Sequence, residues 1–301
     1  MRLDGTEQSS NVQDRRSMKA PAAAGGGIVA IIIAVVFAYI QTGDGGQAIK
    51  AGVQAMQQQR AVAASVGESN APVNPEEDQQ AIFASKVLTT TEQIWGEHFP
   101  ELWEAYPHIE GKAYQKPQLI LFRDGVRSAC GHATSAVGPF YCPGDSHVYL
   151  DLSFFDELKN RFGAPGDFAC GYVIAHEVGH HIQNLLGLSM AVQRKQAEVS
   201  EAESNQLSVR LELQADFLAG VWAHYAATEL NILEEGDVEE GIRAANAIGD
   251  DTLMKNAGAA VRPDAFTHGT SEQRIRWFLR GLKNGNLKEA NVFFELQYDQ
   301  L

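Results

Sequence analysis

The sequence predicts an α+β domain, mainly helical with a small sheet, preceded by one transmembrane helix. Three observations predict it. Short runs with strand-like alternation cluster between 116 and 152, and helix-period runs fill much of the chain beyond. No charged residue stands between Lys19 and Asp44. The stretch that follows, 44–78, is rich in Gln, Ala and Gly and reads as a linker or stalk, not a core. The chain thus divides into an N-terminal tail (1–19), a membrane helix (20–43), the linker (44–78) and one folded domain (79–301). That domain is long enough for a single sizeable core.

Ile28 to Ile40 is almost wholly apolar and β-branched. With the Ala/Gly run before it, roughly 20 residues can cross a bilayer as a helix. Arg15, Arg16 and Lys19 lie just before this stretch, whereas the first basic residue after it is Lys50. The asymmetry favours a cytoplasmic tail and a domain on the outer side. A cleaved signal peptide fits less well, because the charged leader is long and no clear A-x-A site follows.

Within the domain, Gln80 to Phe99 reads as a helix that ends near Pro100. Strands are expected over 116–122, over Val137 to Cys142, and over His147 to Leu152, where Val148, Leu150 and Leu152 alternate. Ser153 caps a short helix through Phe162. Cys130 and Cys142 flank a Gly/Ser/Thr/Pro-containing segment, as the ends of a hairpin would. In an oxidising compartment they would pair as a disulfide; in a reducing one they are two thiols.

The next helix carries the chemistry. Asp167, after Pro165-Gly166, is a plausible N-cap, and Gly187 a C′ glycine. Between them lies His176-Glu-Val-Gly-His180. Residues four apart share one helix face, so His176 and His180 can bind one zinc ion per chain through two imidazoles. Glu177 stands where its carboxylate can act as general base on a water that such an ion activates. Gly179 suggests that something packs close to the backbone. His181 points about 100° away from His180 around the helix and reads as structural. Cys170, in the same helix, reads as a small buried apolar residue.

A catalytic zinc takes three protein ligands. From about Ser204 to Ala227 a second helix runs, with Leu207, Leu211, Ala215, Leu218 and Trp222 as its apolar stripe. Glu212 and Asp216 lie on an adjoining face, where carboxylates need partners. Zinc would meet that need for Glu212, and the second N–H of a ligating histidine would meet it for Asp216. Ordinary solvated acids are the alternative. Helices are also expected at Asp237–Ala247 and Ser271–Leu282. His268, in a turn before the last of these, is a candidate donor to a developing oxyanion, or else a loop or capping histidine. Tyr141 is a weaker candidate for that donor.

The formal charge of −14 argues against nucleic acid as a partner, which needs basic patches to neutralise phosphate. It argues equally against broad binding of the domain to anionic lipid.

HExxH followed on a second helix by Glu-x-x-x-Asp resembles the gluzincin metallopeptidases. A closer resemblance covers most of the chain. Gly138-Pro-Phe-Tyr-Cys-Pro-Gly-Asp, Tyr172 to Asn184, Leu211-Glu-Leu-Gln-Ala-Asp-Phe, Ala247-Ile-Gly-Asp-Asp and His268-Gly-Thr-Ser-Glu-Gln-Arg are similar to bacterial putative neutral zinc metallopeptidases of the YpfJ type. So is Asn11-Val-Gln-Asp-Arg-Arg ahead of a hydrophobic segment. The resemblance implies a zincin-like domain with zinc on His176, His180 and Glu212, Asp216 supporting a histidine, and Glu177 as base. It also implies an edge strand, here Val137, Gly138, Phe140 and Tyr141, that pairs with substrate backbone. The expected protein is a single-pass peptidase of the bacterial inner membrane, with its domain in the periplasm and proteins or peptides as substrates. A non-catalytic zinc-containing scaffold for envelope proteins is the alternative, against which an intact Glu177 argues. An amidase or esterase on the same fold is a third reading.

Overall fold

The sheet is built from runs whose two faces are both buried. In β2 (Gln118–Phe122), Leu119 and Leu121 point into the main core while Ile120 and Phe122 join a smaller cluster with Val126, Cys142 and Tyr149. Period-two alternation thus serves two apolar layers at once. The computed structural model describes residues 1–17 and 75–301. The expected membrane helix and nearly all of the expected linker lie outside these residues, and among the described residues no helix is long and apolar enough to cross a membrane.

The main sheet has the order β1-β2-β6-β5. β1 (Val12–Asp14) runs parallel to β2, with Val12 opposite Leu119 and Asp14 opposite Leu121. β6 (His147–Asp151) runs parallel to β2 on its other side, Leu119 opposite Val148. β5 (Phe140–Cys142) is antiparallel to β6 and forms the far edge. A separate hairpin, β3 (Gly125–Ser128) with β4 (Gly131–Thr134), lies between β2 and β5 in the chain.

The helices follow in order: α1 (Pro75–His98), a short α2 (Leu102–Ala105), α3 (Ser153–Asn160), α4 (Asp167–Leu185), α5 (Leu188–Gln196), α6 (Glu201–Thr228), α7 (Asp237–Ala247), α8 (Asp250–Asn256) and α9 (Ser271–Asn284). α6 is buried on every side from Leu213 to Ala223, which makes it the axis of the helical layer. It begins at a Ser200 capping box with Glu203. Glycines let its neighbours approach: a Cβ on Gly220 would meet the Phe278 carbonyl of α9 at 2.1 Å, and one on Gly281 would meet the Phe217 carbonyl at the same distance. The result is α+β, mainly helical with small sheets, as the sequence predicts.

Several expectations are corrected. Residues 1–17 are not a tail apart from the domain; β1 completes one edge of its sheet. Three residues of strand are too few to carry a readable period. α1 opens at Pro75, inside the expected linker. Val137 and Gly138 precede the edge strand: Ser135–Val137 is a 3-10 turn and Gly138 takes φ 79°, so only Phe140 and Tyr141 of the expected segment stand in β5. Cys130 and Cys142 are bonded, but not as hairpin ends. Cys130 sits in the β3–β4 turn and is tied to the last residue of edge strand β5. Cys170 is a buried free thiol, as expected.

Candidate metal centre

The close approach that Gly179 suggested is the backbone of α6. A Cβ on Gly179 would lie 3.0 Å from both Cα and the carbonyl oxygen of Ala215. This contact sets the register of the site. His176 and Glu212 each lie three residues before it, and His180 and Asp216 each one residue after it. Crossing α4 and α6 at Gly179 and Ala215 therefore delivers imidazoles and carboxylates to one place.

There, Nε2 of His176 lies 3.2 Å from one oxygen of Glu212, and Nε2 of His180 lies 3.4 Å from the other. One donor atom from each of the three side chains falls within 4.8 Å of the others. The remaining imidazole nitrogens are fixed. Nδ1 of His176 donates to Asp216 Oδ1 at 2.9 Å. Nδ1 of His180 donates to Gln183 Oε1 at 2.8 Å, because the Gln183 amide donates to the Leu211 carbonyl at 2.6 Å and so turns its oxygen to the ring. With Nδ1 of each ring engaged in this way, Nε2 is the atom that each turns to the Glu212 carboxylate. Two imidazole nitrogens and one carboxylate that converge in this way form a donor set that suits zinc.

Asp216 is fully buried and has a full set of donors. Besides His176, it accepts from Tyr172 at 2.5 Å and from Arg274 through Nε at 2.8 Å and Nη2 at 3.0 Å. Burial would push Asp216 up, but Arg274 and His176 outweigh it and hold it below its ordinary value. Burial likewise opposes ionisation of Glu212, and His180 and His176 hold it well below the carboxylate range. In the metal-free protein, burial would pull His176 down; Asp216 and Glu212 outweigh this and push it up to about 10. His180 is raised for the same reason, chiefly by Glu212 against its burial.

Glu177 lines a cavity of about 1110 Å³ together with His176, His180, Glu212 and His268. Val137, Phe140, Tyr141 and Met190 line it as well. Phe140 and Tyr141 of the edge strand therefore line the same cavity as the candidate metal ligands. His268 has its Nδ1 held at 3.0 Å by Asp250 Oδ1, which leaves Nε2 for a ligand. Asp250 Oδ2 accepts the backbone N–H groups of Thr267, His268 and Gly269 at 2.8, 2.7 and 3.1 Å, so the loop is wrapped on that carboxylate. Burial opposes the charge on His268, yet Asp250 and Glu212 raise it above its usual value.

Tyr141 is not free to serve as an oxyanion donor. His181 Nε2 donates to the Gln115 carbonyl at 2.5 Å, so its Nδ1 accepts the Tyr141 hydroxyl proton at 3.0 Å, and Asn184 donates to the Tyr141 oxygen at 2.9 Å. Burial lowers His181 to about 4, consistent with a neutral ring. His181 thus pins β5 to α4, a structural role.

Sequence reasoning assigned no role to Arg274, Asp250, Tyr172 or Gln183. A signal for Arg274 exists: with Trp277, Phe278 and Gly281 it completes the buried face of α9 at helical spacing. An arginine on such a face needs a carboxylate partner.

Fold and site together bring two histidines and one glutamate from two helices into a set that could hold a metal ion, with a second glutamate lining the same cavity. The chain belongs to the family of putative neutral zinc metallopeptidases, which matches residues 1–293. It is 44% identical over 303 residues to the uncharacterized protein YpfJ of Escherichia coli, covering 97% of this chain and 99% of that one. It is 41% identical over 191 residues to the uncharacterized protein Rv2575 of Mycobacterium tuberculosis, covering 60% of this chain and 63% of that one. No solved structure matches the chain.

Proposed function

We propose that the chain is a zinc-dependent endopeptidase of zincin-like fold that acts on proteins or peptides. The observation that carries this reading is the convergence of the His176 and His180 Nε2 atoms on the two oxygens of Glu212. These three side chains would hold the ion. When bound, zinc supplies Lewis acidity, making a water easier to deprotonate and a carbonyl easier to attack.

The remaining work falls to the chain's own residues. Glu177, one residue after the first ligand and facing the cleft, takes the proton of the attacking water and passes it to the leaving amine. His268, as an imidazolium held by Asp250, donates from Nε2 to the oxygen on which charge develops. Asp216 fixes the His176 tautomer, and Arg274 keeps Asp216 ionised. Phe140 and Tyr141 of the edge strand offer backbone groups to an extended substrate.

The bond between Cys130 and Cys142 supports an oxidising, extracytoplasmic setting for the domain. The uncharged stretch 20–43 is the segment proposed to meet the membrane.

The test is digestion of an unfolded protein by the purified full chain, with products identified by mass. Cleavage at internal peptide bonds, lost on chelation and restored by zinc, is the expected result. Intact substrate with zinc bound would favour the scaffold reading.

A further inference from the structure

Residues 1–17 are tied to the domain at 1–3 and again from Ser9 to Arg16. Met1 rests on the helix that carries the metal motif: a Cβ on Gly171 of α4 would lie 2.9 Å from Met1 Sδ. Leu3 is 7% exposed and belongs to the main core, and Lys86 of α1 donates to its carbonyl at 2.9 Å. Ser9 and Asn11 both donate to one oxygen of buried Glu92, at 2.7 and 2.8 Å. β1 then pairs with β2 in register, and its flanks extend the ladder: Leu119 N donates to Asn11 O at 2.9 Å, Arg15 N to Leu121 O at 2.8 Å.

The last contact closes a circle. Arg16 is buried; it grips Asp14 through Nε at 2.9 Å and Nη2 at 2.6 Å, and reaches Asp78 in the first turn of α1 at 3.3 Å. Arg16 and Asp78, on either side of the stretch 18–74, thus meet on one patch of the domain.

We infer that residues 1–17 lie on the same side of any membrane as the peptidase domain, and that the stretch 20–43 does not carry the chain across in a single pass. One crossing would separate its flanks by a hydrocarbon layer about 30 Å thick, and β1 could not then pair with β2. A second crossing would need another apolar stretch of about 20 residues. Residues 44–74 do not supply one, since Asp44, Lys50, Arg60 and Glu68 interrupt them among many glutamines. The charge asymmetry that suggested a cytoplasmic tail loses force as well. Arg16, one of its basic residues, is committed to carboxylates within the fold.

The alternative arrangement has a physical cost that decides the matter. Removing residues 1–17 would open the Leu3 site, strip β2 of a neighbour and take two donors from the buried Glu92 carboxylate.

Glu7 and Lys159 are both exposed, and the native cysteines are either bonded or buried. Single cysteines at Glu7→Cys and Lys159→Cys in the full chain can therefore be read with a membrane-impermeant maleimide on spheroplasts. The expected result is equal labelling of both, whether before lysis or only after it. Labelling of one before lysis and of the other only after it overturns the inference. Both labelling only after lysis would keep this inference while sinking the extracytoplasmic reading, so the two fail separately. Leu3→Asp provides a second readout: docking predicts a fall in the unfolding midpoint of at least about 5 °C, and an unchanged midpoint overturns it.

Discussion

Arg274 holds both carboxylate oxygens of Asp216, through Nε at 2.8 Å and Nη2 at 3.0 Å, inside a fully buried network. Asp216 in turn receives the Nδ1 proton of His176. An arginine on the last long helix therefore sets the tautomer of a metal-facing histidine on another. Replacing Arg274 with Ala leaves Asp216 buried with its charge under-compensated. The expected outcome is a loss of zinc affinity of about 10–100-fold, with Arg274→Lys intermediate. Competition against a chromophoric chelator measures it, and an unchanged affinity for Arg274→Ala would contradict the role.

Zinc affinity should rise with pH. In the metal-free protein, His176 is pushed up to about 10 and so carries a proton near neutrality, and His180, raised above its ordinary value, holds its proton to higher pH than a free imidazole would. Zinc must displace those protons. The affinity is therefore expected to climb from pH 6 to 8 by about tenfold per pH unit for each proton released. Isothermal titration in buffers of different ionisation enthalpy counts the protons. A flat profile would mean that these imidazoles are not displaced by metal.

The His268–Asp250 pair predicts the alkaline limb of activity. Asp250 holds the His268 Nδ1 proton and raises the ring's pKa, so the imidazolium, with its Nε2–H donor, persists above the usual histidine range. As pH rises through that raised value, Nε2 becomes a lone pair and donation to an oxyanion ends. Asp250→Asn should move the limb to lower pH and reduce kcat by about 100-fold. A pH–rate profile for kcat checks both effects, and a limb that does not move would remove His268 from the reaction.

The bond from Cys130 to Cys142 closes a loop of sequence separation 12 and ties the β3–β4 turn to the edge strand. Chain entropy alone assigns such a loop roughly 3 kcal/mol. Cys142→Ser should lower stability by about that amount in denaturant titration, and reductant should do the same to the native chain. Equal midpoints with and without reductant would contradict a stabilising bond.

How much of this was legible follows from the length of each signal. Asp237–Ala247 matches the structure to the residue, and α4 ends before Gly187 as expected, whereas its N-cap is Gly166 and Asp167, the expected cap, is the first helical residue and makes no capping bond. Those elements have a long period and marked ends. β1, β3 and β4 have three or four residues each and little alternation, so nothing local identifies them. Short α8 went unread for the same reason. In the site, the histidines were readable as a pair four apart on α4, and Glu212 as one of two carboxylates four apart on α6. Arg274 and Asp250 were not, because their partners lie on other elements, and only the packing of α9 on α6 and of α8 beneath the 267–269 loop brings them in.

The central claim is that the cation centre serves peptide hydrolysis with Glu177 as the base. It is tested most directly by Glu177→Gln in the zinc-loaded full chain, with hydrolysis and metal content measured on the same sample. The account predicts one zinc per chain in both proteins and a loss of at least about 100-fold in kcat for the variant. Equal hydrolysis by variant and wild type at equal zinc content would contradict it.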